Sequence, residues 1–360
     1  MKNIPLFTQA PQSICLLRLS AIGDVTHAIA VAQAIEDVWP STKITWIIGQ
    51  LESTLIAPLL PHVNFIIFDK KKGWREYIRI WSLLKNQHFS ALLHMQTALR
   101  ASLITLGITA DYKLGFDKIR TSDKQQWFTN VKVPSPSSPH VADGFMAFVR
   151  QLGINRYKPH WDIEIPDKAK QWVSQILPDT NKNILVIVPG ASKAFKNWTS
   201  EGYVSVIEYA WQQGLQIVLA GSPHPIEVTL GHEIEHLLSQ KASQLTNLIG
   251  QTSLLQMLAL LKKAHMVISP DTGPAHMASM INTPVIGLYA HHDPQRVGPY
   301  NSPQYCVSIY QHLAEACTGK TRDQLSWRYR VKDPHAMQKI TSQQVIAMLD
   351  KALKENKISC

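Results

Sequence analysis

Several absences narrow the reading before any motif does. The four cysteines, Cys15, Cys306, Cys317 and Cys360, include no Cys-x-x-Cys pair. Neither a zinc site nor a dithiol redox motif is therefore indicated, and the pattern suits a reducing compartment. No apolar run approaches the ~20 residues that a membrane-spanning helix needs. Met1 to Gln12 carries Pro5 and Pro11 without a long apolar core, so a signal peptide is not expected. Asp-x-Asp is missing, which removes the usual carboxylate pair for a metal-bound nucleotide sugar, and no metal is expected. The three-glycine dinucleotide fingerprint is missing too, which argues against a nicotinamide or flavin oxidoreductase.

What is present describes a globular chain. Of 360 residues, 45% are hydrophobic and 17% charged, enough apolar material for two cores. Lys and Arg number 36 against 26 Asp and Glu, a formal charge of +10. Such an excess favours anionic partners. The basic residues are scattered and no nucleic-acid motif occurs, so phosphorylated ligands and an anionic membrane surface are expected rather than nucleic acid.

The chain alternates strand-like and helix-like stretches. Strands are predicted at 14–19, 44–48, 65–68 and 91–94, with helices at 24–38, 52–60 and 74–87. In the first helix Val25, Ala28, Ile29, Ala32 and Ile35 recur at helical spacing, and Pro40 ends it. Pro134-Ser-Pro-Ser-Ser-Pro139 reads as a surface loop, followed by a helix over 141–152. A boundary in 155–182 separates domains 1–165 and 166–360. The second half repeats the rhythm, with strands at 184–188, 217–220, 266–269 and 285–288, a helix at 200–213 and a last helix at 343–353. That last helix is allowed to pack back on the first domain. The rhythm is that of an α/β fold, two Rossmann-like domains facing across a cleft, with ligands at the carboxyl ends of the strands.

Four loops after strands carry candidate chemistry. In Asp271-Thr272-Gly273-Pro274-Ala275-His276, Thr272 can cap a helix with Pro274 in its first turn, where the missing N–H costs little. The free amides and partial positive charge of that helix start suit a diphosphate. His276 can add a donor, and Asp271 can hold sugar hydroxyls. Ser20-Ala-Ile-Gly23-Asp24 offers Asp24 either as a helix-capping acid or as a general base. Pro189-Gly-Ala-Ser192-Lys-Ala-Phe-Lys196-Asn-Trp198 brings two lysines and Ser192 to a phosphate, or is a solvated loop anchored by Trp198. Gly221-Ser-Pro-His-Pro-Ile-Glu227 offers Glu227 to ribose hydroxyls or to its own helix dipole. Among smaller signals, His291-His292-Asp293 is not expected to bind a metal. Lys70-Lys-Lys-Gly-Trp74-Arg75 is a solvated face or a contact for lipid phosphates. Arg100 and Arg120 are placed towards the acceptor.

In this order, each after a strand, these segments resemble the family 9 glycosyltransferases, the bacterial lipopolysaccharide heptosyltransferases, and within them the heptosyltransferase I type. The carriers are Ser20–Val25, Lys196-Asn-Trp198, Gly221-Ser-Pro-His224 and Asp271–His276, over roughly 14–350. Trp327–His335 looks like one branch of these enzymes. The resemblance implies the GT-B fold, with an acceptor-binding N-terminal domain and a nucleotide-sugar-binding C-terminal domain. It implies inverting transfer of heptose from ADP-heptose to the Kdo inner core of lipopolysaccharide, at the cytoplasmic face of the inner membrane. Asp24 matches the base and Lys196 the phosphate-contacting lysine. Ser192, Glu227, Asp271, Thr272, Gly273 and His276 match the donor site, while Arg100 and Arg120 are assigned to the acceptor. Pro274 replaces a hydrophobic residue of some members and removes one amide. The alternatives are transfer of another nucleotide sugar in surface polysaccharide synthesis and a non-catalytic glycan-binding relative.

Overall fold

The computed structural model describes residues 4–155, 157–178 and 182–356. The chain divides into two compact units, Met1–Glu164 and Ile165–Cys360.

The first unit contains β1 (Ser13–Leu17), α1 (Ile22–Val38), β2 (Lys43–Gly49), α2 (Gln50–Ile56), β3 (Asn64–Phe68) and α3 (Trp74–Leu84). It continues with β4 (His88–His94), α4 (Leu99–Ile104), β5 (Thr109–Gly115), β6 (Val131–Lys132) and α5 (Val141–Leu152). The second holds α6 (Asp167–Ile176), β7 (Ile184–Ile187), α7 (Ser200–Gln212), β8 (Gln216–Leu219), α8 (Pro225–Leu238) and β9 (Thr246–Asn247). After these come α9 (Leu254–Lys263), β10 (Met266–Pro270), α10 (Gly273–Met280), β11 (Val285–Tyr289) and α11 (Pro294–Val297). β12 (Cys306–Ser308), α12 (Tyr310–Thr318) and α13 (Ser342–Glu355) complete it.

Every strand pairing is parallel. The sheet orders are β3-β2-β1-β4-β5-β6 and β12-β11-β10-β7-β8-β9. Counted from its own first strand, each sheet is the same 3-2-1-4-5-6 arrangement. Its strand order reverses between the first and fourth strands, which is where open parallel sheets leave a crevice for ligands. In the first unit that point lies between β1 and β4, and in the second between β7 and β10.

Why the central strands form is plain from their residues. Ile-Leu-Val-Ile of β7 and Met-Val-Ile-Ser-Pro of β10 are buried throughout, as strands covered on both faces must be. α1 is buried over Val25–Ile35. The predicted helix 141–152 is α5, capped by His140, whose ring nitrogen accepts from the Ala142 amide.

The last helix, α13, lays its apolar stripe on the second unit. Val345, Leu349, Ala352 and Leu353 are buried in the second unit's own core, with Trp198, Tyr203 and Val307. Among the described cysteines, Cys15 is buried, and burial pushes its thiol far above the usual range. Cys360 lies outside the described residues. Among the described residues no helix is long and apolar enough to cross a membrane.

Candidate functional site

At the first switch point the chain leaves β1 through Arg18, Leu19 and Ser20 and enters α1. Asp24 lies in the first turn of α1 but caps nothing: no side-chain bond closes that helix end. Its carboxylate turns to Arg18 instead, and the Arg18 guanidinium donates to Asp24 Oδ2. Arg18 Nη1 also donates to the Met95 carbonyl at 2.6 Å, in the segment that leaves β4. The two loops are stitched together again where the Leu19 amide donates to Gln96 Oε1 at 2.7 Å. Arg18 is 12% exposed and Asp24 35% exposed. The acid thus faces solvent with its orientation set from behind. A charge-assisted guanidinium–carboxylate bond is among the stronger fixed contacts available to a side chain.

A second acid sits beside this pair. Burial pushes the Glu52 carboxyl up, while Lys70, Arg18 and Arg100 pull it back. Arg100 is exposed in the first turn of α4. Arg120, expected at the acceptor, is differently placed from Arg100. It is buried, its Nη1 bonds Asp117 Oδ2 at 2.9 Å and its Nη2 bonds the Ser138 carbonyl at 2.9 Å. It fastens the proline-rich loop to the 117–121 turn. His94, at the end of β4, is held by Ser102 Oγ at 2.9 Å. Burial and the Arg18 charge push it down to about 3.

At the second switch point β7 leads into Pro189–Asn197 and β10 into Asp271. Asn197 Oδ1 accepts from the Ala191 amide at 2.7 Å and folds the first of these loops into a tight turn. The Trp198 indole N–H is anchored on the Ile340 carbonyl at 2.9 Å. Lys196 is thereby delivered to Asp271, with Nζ 2.7 Å from Oδ2. The same Oδ2 meets His292 Nδ1 at 2.9 Å, and His276 Nε2 lies 3.7 Å from Oδ1. Burial alone would push the Asp271 carboxyl up. His276, His292 and Lys196 outweigh it and hold that carboxyl well below the usual range. Burial pushes His292 down, with Asp271 opposing.

Thr272 caps α10: its Oγ1 accepts from the Ala275 amide at 3.4 Å and is bonded to Ser269 Oγ at 2.7 Å. Gly273 and Pro274 open the helix, so its amide-bearing end lies beside Lys196. Asp271 is thus tied to the cation cluster of Lys196, His292 and His276. Glu227 is buried in the first turn of α8, and both its oxygens hold Ser222, one at the amide (2.8 Å) and one at the hydroxyl (2.5 Å). It presses on Gly190 so closely that a Cβ there would stand 2.7 Å from Glu227 Cγ. Ser192 is exposed in the β7 loop.

Lys196, Asp271, Thr272, Gly273 and His276 are thus brought together, with Glu227 on the flank through Gly190. Arg18, Glu52 and His292 were not read as functional. In the sequence Arg18 only interrupts the apolar run 14–19, and the His291–His292 doublet is not expected to bind a metal. Among the described residues no group of three or more His, Cys, Asp or Glu side chains is placed to hold a metal ion.

Paired Rossmann-like units, with an acid at one switch point and a cationic helix start at the other, are the parts of a GT-B glycosyltransferase. The chain belongs to glycosyltransferase family 9 (heptosyltransferase), whose model matches residues 77–328. It is 42% identical to the lipopolysaccharide core heptosyltransferase OpsX of Haemophilus influenzae, over 97% of this chain and 99% of that one. It is 22% identical to lipopolysaccharide heptosyltransferase 3 of Escherichia coli K12, over 93% and 96%. Two solved structures share the fold. A family 9 glycosyltransferase of Veillonella parvula aligns with a TM-score of 0.77 at 18% identity, covering 98% of this chain and 100% of that one. The E. coli heptosyltransferase WaaC with ADP aligns with 0.71 at 18% identity, covering 94% and 99%.

Proposed function

We propose that this chain transfers heptose from ADP-heptose to the Kdo inner core of lipopolysaccharide, with inversion at the anomeric carbon. The carrying observation is the Lys196–Asp271 pair, 2.7 Å apart, at the Thr272-capped start of α10. Fixed cationic donors beside a helix start are the parts that receive a leaving diphosphate. The near full-length likeness to a lipopolysaccharide core heptosyltransferase supports the same reading.

In this mechanism Asp24 takes the proton of the attacking acceptor hydroxyl as its oxygen bonds to the anomeric carbon. The bond from that carbon to the diphosphate oxygen breaks, and ADP leaves with an added negative charge. Lys196 and the amides at the start of α10 meet that charge. Asp271 holds Lys196 in place while His292 fixes Asp271. Because Pro274 supplies no amide, the phosphate leans more on Lys196 and His276. Arg18 orients the Asp24 carboxylate, and Arg100 with Lys70 offers positive charge to an acidic acceptor.

The reading extends to location. Lys70-Lys71-Lys72 and Arg75 are exposed next to Trp74 and Ile78, themselves 57% and 53% exposed. This basic and aromatic stretch fits peripheral attachment to the anionic cytoplasmic face of the inner membrane. The deciding experiment measures ADP released from ADP-heptose with and without Kdo–lipid A. Release that requires the acceptor supports transfer. Release of equal rate without it, or none with it, overturns the proposal.

A further inference from the structure

One strand away from the Lys196–Asp271 pair is a guanidinium that nothing in the reaction above uses. β11 runs beside β10, with Leu288 opposite Pro270. The loop that follows β11 is tied back to Asp271 through His292 at 2.9 Å. It then enters α11, capped by Asp293, whose Oδ1 accepts from the Gln295 amide at 3.0 Å. Arg296 is the third residue of α11.

Arg296 sits against an indole ring. Its guanidinium carbon stands 5.1 Å from the centre of the Trp327 ring. Arg328 lies over the same ring at 5.6 Å. The nearby carboxylate of Asp293 is taken by Arg322, whose Nε lies 3.0 Å from Oδ2. Among the described residues no hydrogen bond or ion pair takes up the Arg296 guanidinium, and its buried Nε is without a partner. Burial pushes Arg296 below the usual arginine range, with Asp271, Tyr310 and Asp293 pulling the other way.

A buried donor without an acceptor costs free energy, and a guanidinium has five N–H groups to satisfy. Stacking on an indole holds the plane of the fork without using any of them. The guanidinium held against Trp327 near the carboxyl edge of the sheet keeps N–H groups suited to a group with two oxygens. Planar or tetrahedral oxyanions are what such a fork grips bidentately.

We propose that Arg296, backed by Trp327, forms a second oxyanion subsite beside the Lys196–Asp271 cluster, taking a phosphate or carboxylate of a transferase substrate. The subsite rests on the sugar-transfer reading for the origin of that group, which is either the donor's diphosphate or an acidic sugar acceptor. It also gives a task to the segment around Trp327, which the transfer chemistry leaves without one.

The test uses the full chain and two probes, ADP and inorganic phosphate, in calorimetric titrations of wild type, R296A, R296K and W327L. All four are first checked for an unchanged melting profile. If the fork grips the donor, R296A weakens ADP binding about tenfold or more. If it grips the acceptor's acid, ADP binding is unchanged. Phosphate binding to the ADP-saturated protein then weakens about tenfold or more. R296K keeps the charge and loses the fork, and W327L loses the backing, so both show a smaller loss in the same titration. If R296A does not fold, R296K and W327L decide by that titration. Equal affinities for both probes in folded variants overturn the subsite. Acceptor-dependent ADP release by the wild type is measured separately, so a failure of the transfer reading shows there and not in the titrations.

Discussion

The Arg18 guanidinium is bonded to the Asp24 carboxylate six residues later, and its other arm reaches the Met95 carbonyl at 2.6 Å. One side chain thus fixes the acid at the start of α1 to the loop that leaves β4. If Asp24 is the base, removing it costs turnover and not donor affinity. A positioned general base contributes ~10²–10⁴-fold. D24A should therefore lose at least about a hundredfold in kcat with saturating acceptor, while its ADP affinity stays within about twofold. Near-normal kcat in D24A would remove Asp24 from the mechanism.

Lys196 has a contrasting signature. Losing one preorganised donor to a developing oxyanion costs about 10²–10³ in kcat. K196A should show that loss together with weaker ADP binding, because Lys196 acts on the leaving group. Titration with ADP and single-turnover rates separate the two effects. A K196A enzyme with unchanged kcat would place the phosphate elsewhere.

Arg120 separates structure from recognition. Breaking a buried ion pair by removing one partner costs about 3–5 kcal/mol. R120M should unfold at clearly lower denaturant concentration, yet at low temperature keep the wild-type KM for acceptor. A raised acceptor KM with unaltered stability would restore its expected role at the acceptor.

His94 gives the acid limb of stability. In the native state its pKa is pushed down to about 3, against about 6.5 when unfolded. The unfolded chain takes up that proton first. This contribution is therefore complete above about pH 6.5 and is lost as pH falls from there towards 3, by about 1.4 kcal/mol per unit. Urea unfolding of H94Q between pH 7 and 5 should show a shallower loss than wild type. Parallel curves would mean that another group sets that limb.

Attachment through Lys70–Arg75 and Trp74 predicts binding to vesicles containing anionic lipid that falls steeply with added salt. Replacing Lys70, Lys71 and Lys72 by Gln should weaken it at low salt, and W74A should weaken what remains. Binding indifferent to ionic strength would rule out the electrostatic part.

The sequence revealed the frame better than the cluster within it. The Thr272 cap with Pro274 in the first turn was readable, because capping depends on residues within one turn of each other. The strands that line the switch points were readable as short apolar runs. β5, Thr-Ala-Asp-Tyr-Lys-Leu-Gly, was not, since half of it is polar and only its last two residues are fully buried. β6, β9 and β12, two or three residues each, were too short to leave a pattern. Lys196 and Asp271 are 75 positions apart, and His292 is another 21 beyond Asp271. Only the parallel stacking of β7, β10 and β11 shows that they share one carboxylate. The burial of Arg120 against Asp117 was not legible for the opposite reason: a lone arginine in a loop carries no sign of whether a neighbouring acid will bury it.

Both sheets close their hydrogen bonding with the same strand order, each on its own hydrophobic interior. Insertions or replacements in the loops after β2, β3 and β5 can therefore accumulate without disturbing the frame that holds Lys196 and Asp271. Under the proposed transfer, a lineage built on this plan can change the acceptor it takes while keeping the nucleotide it reads. Its variation is expected to concentrate before residue 165.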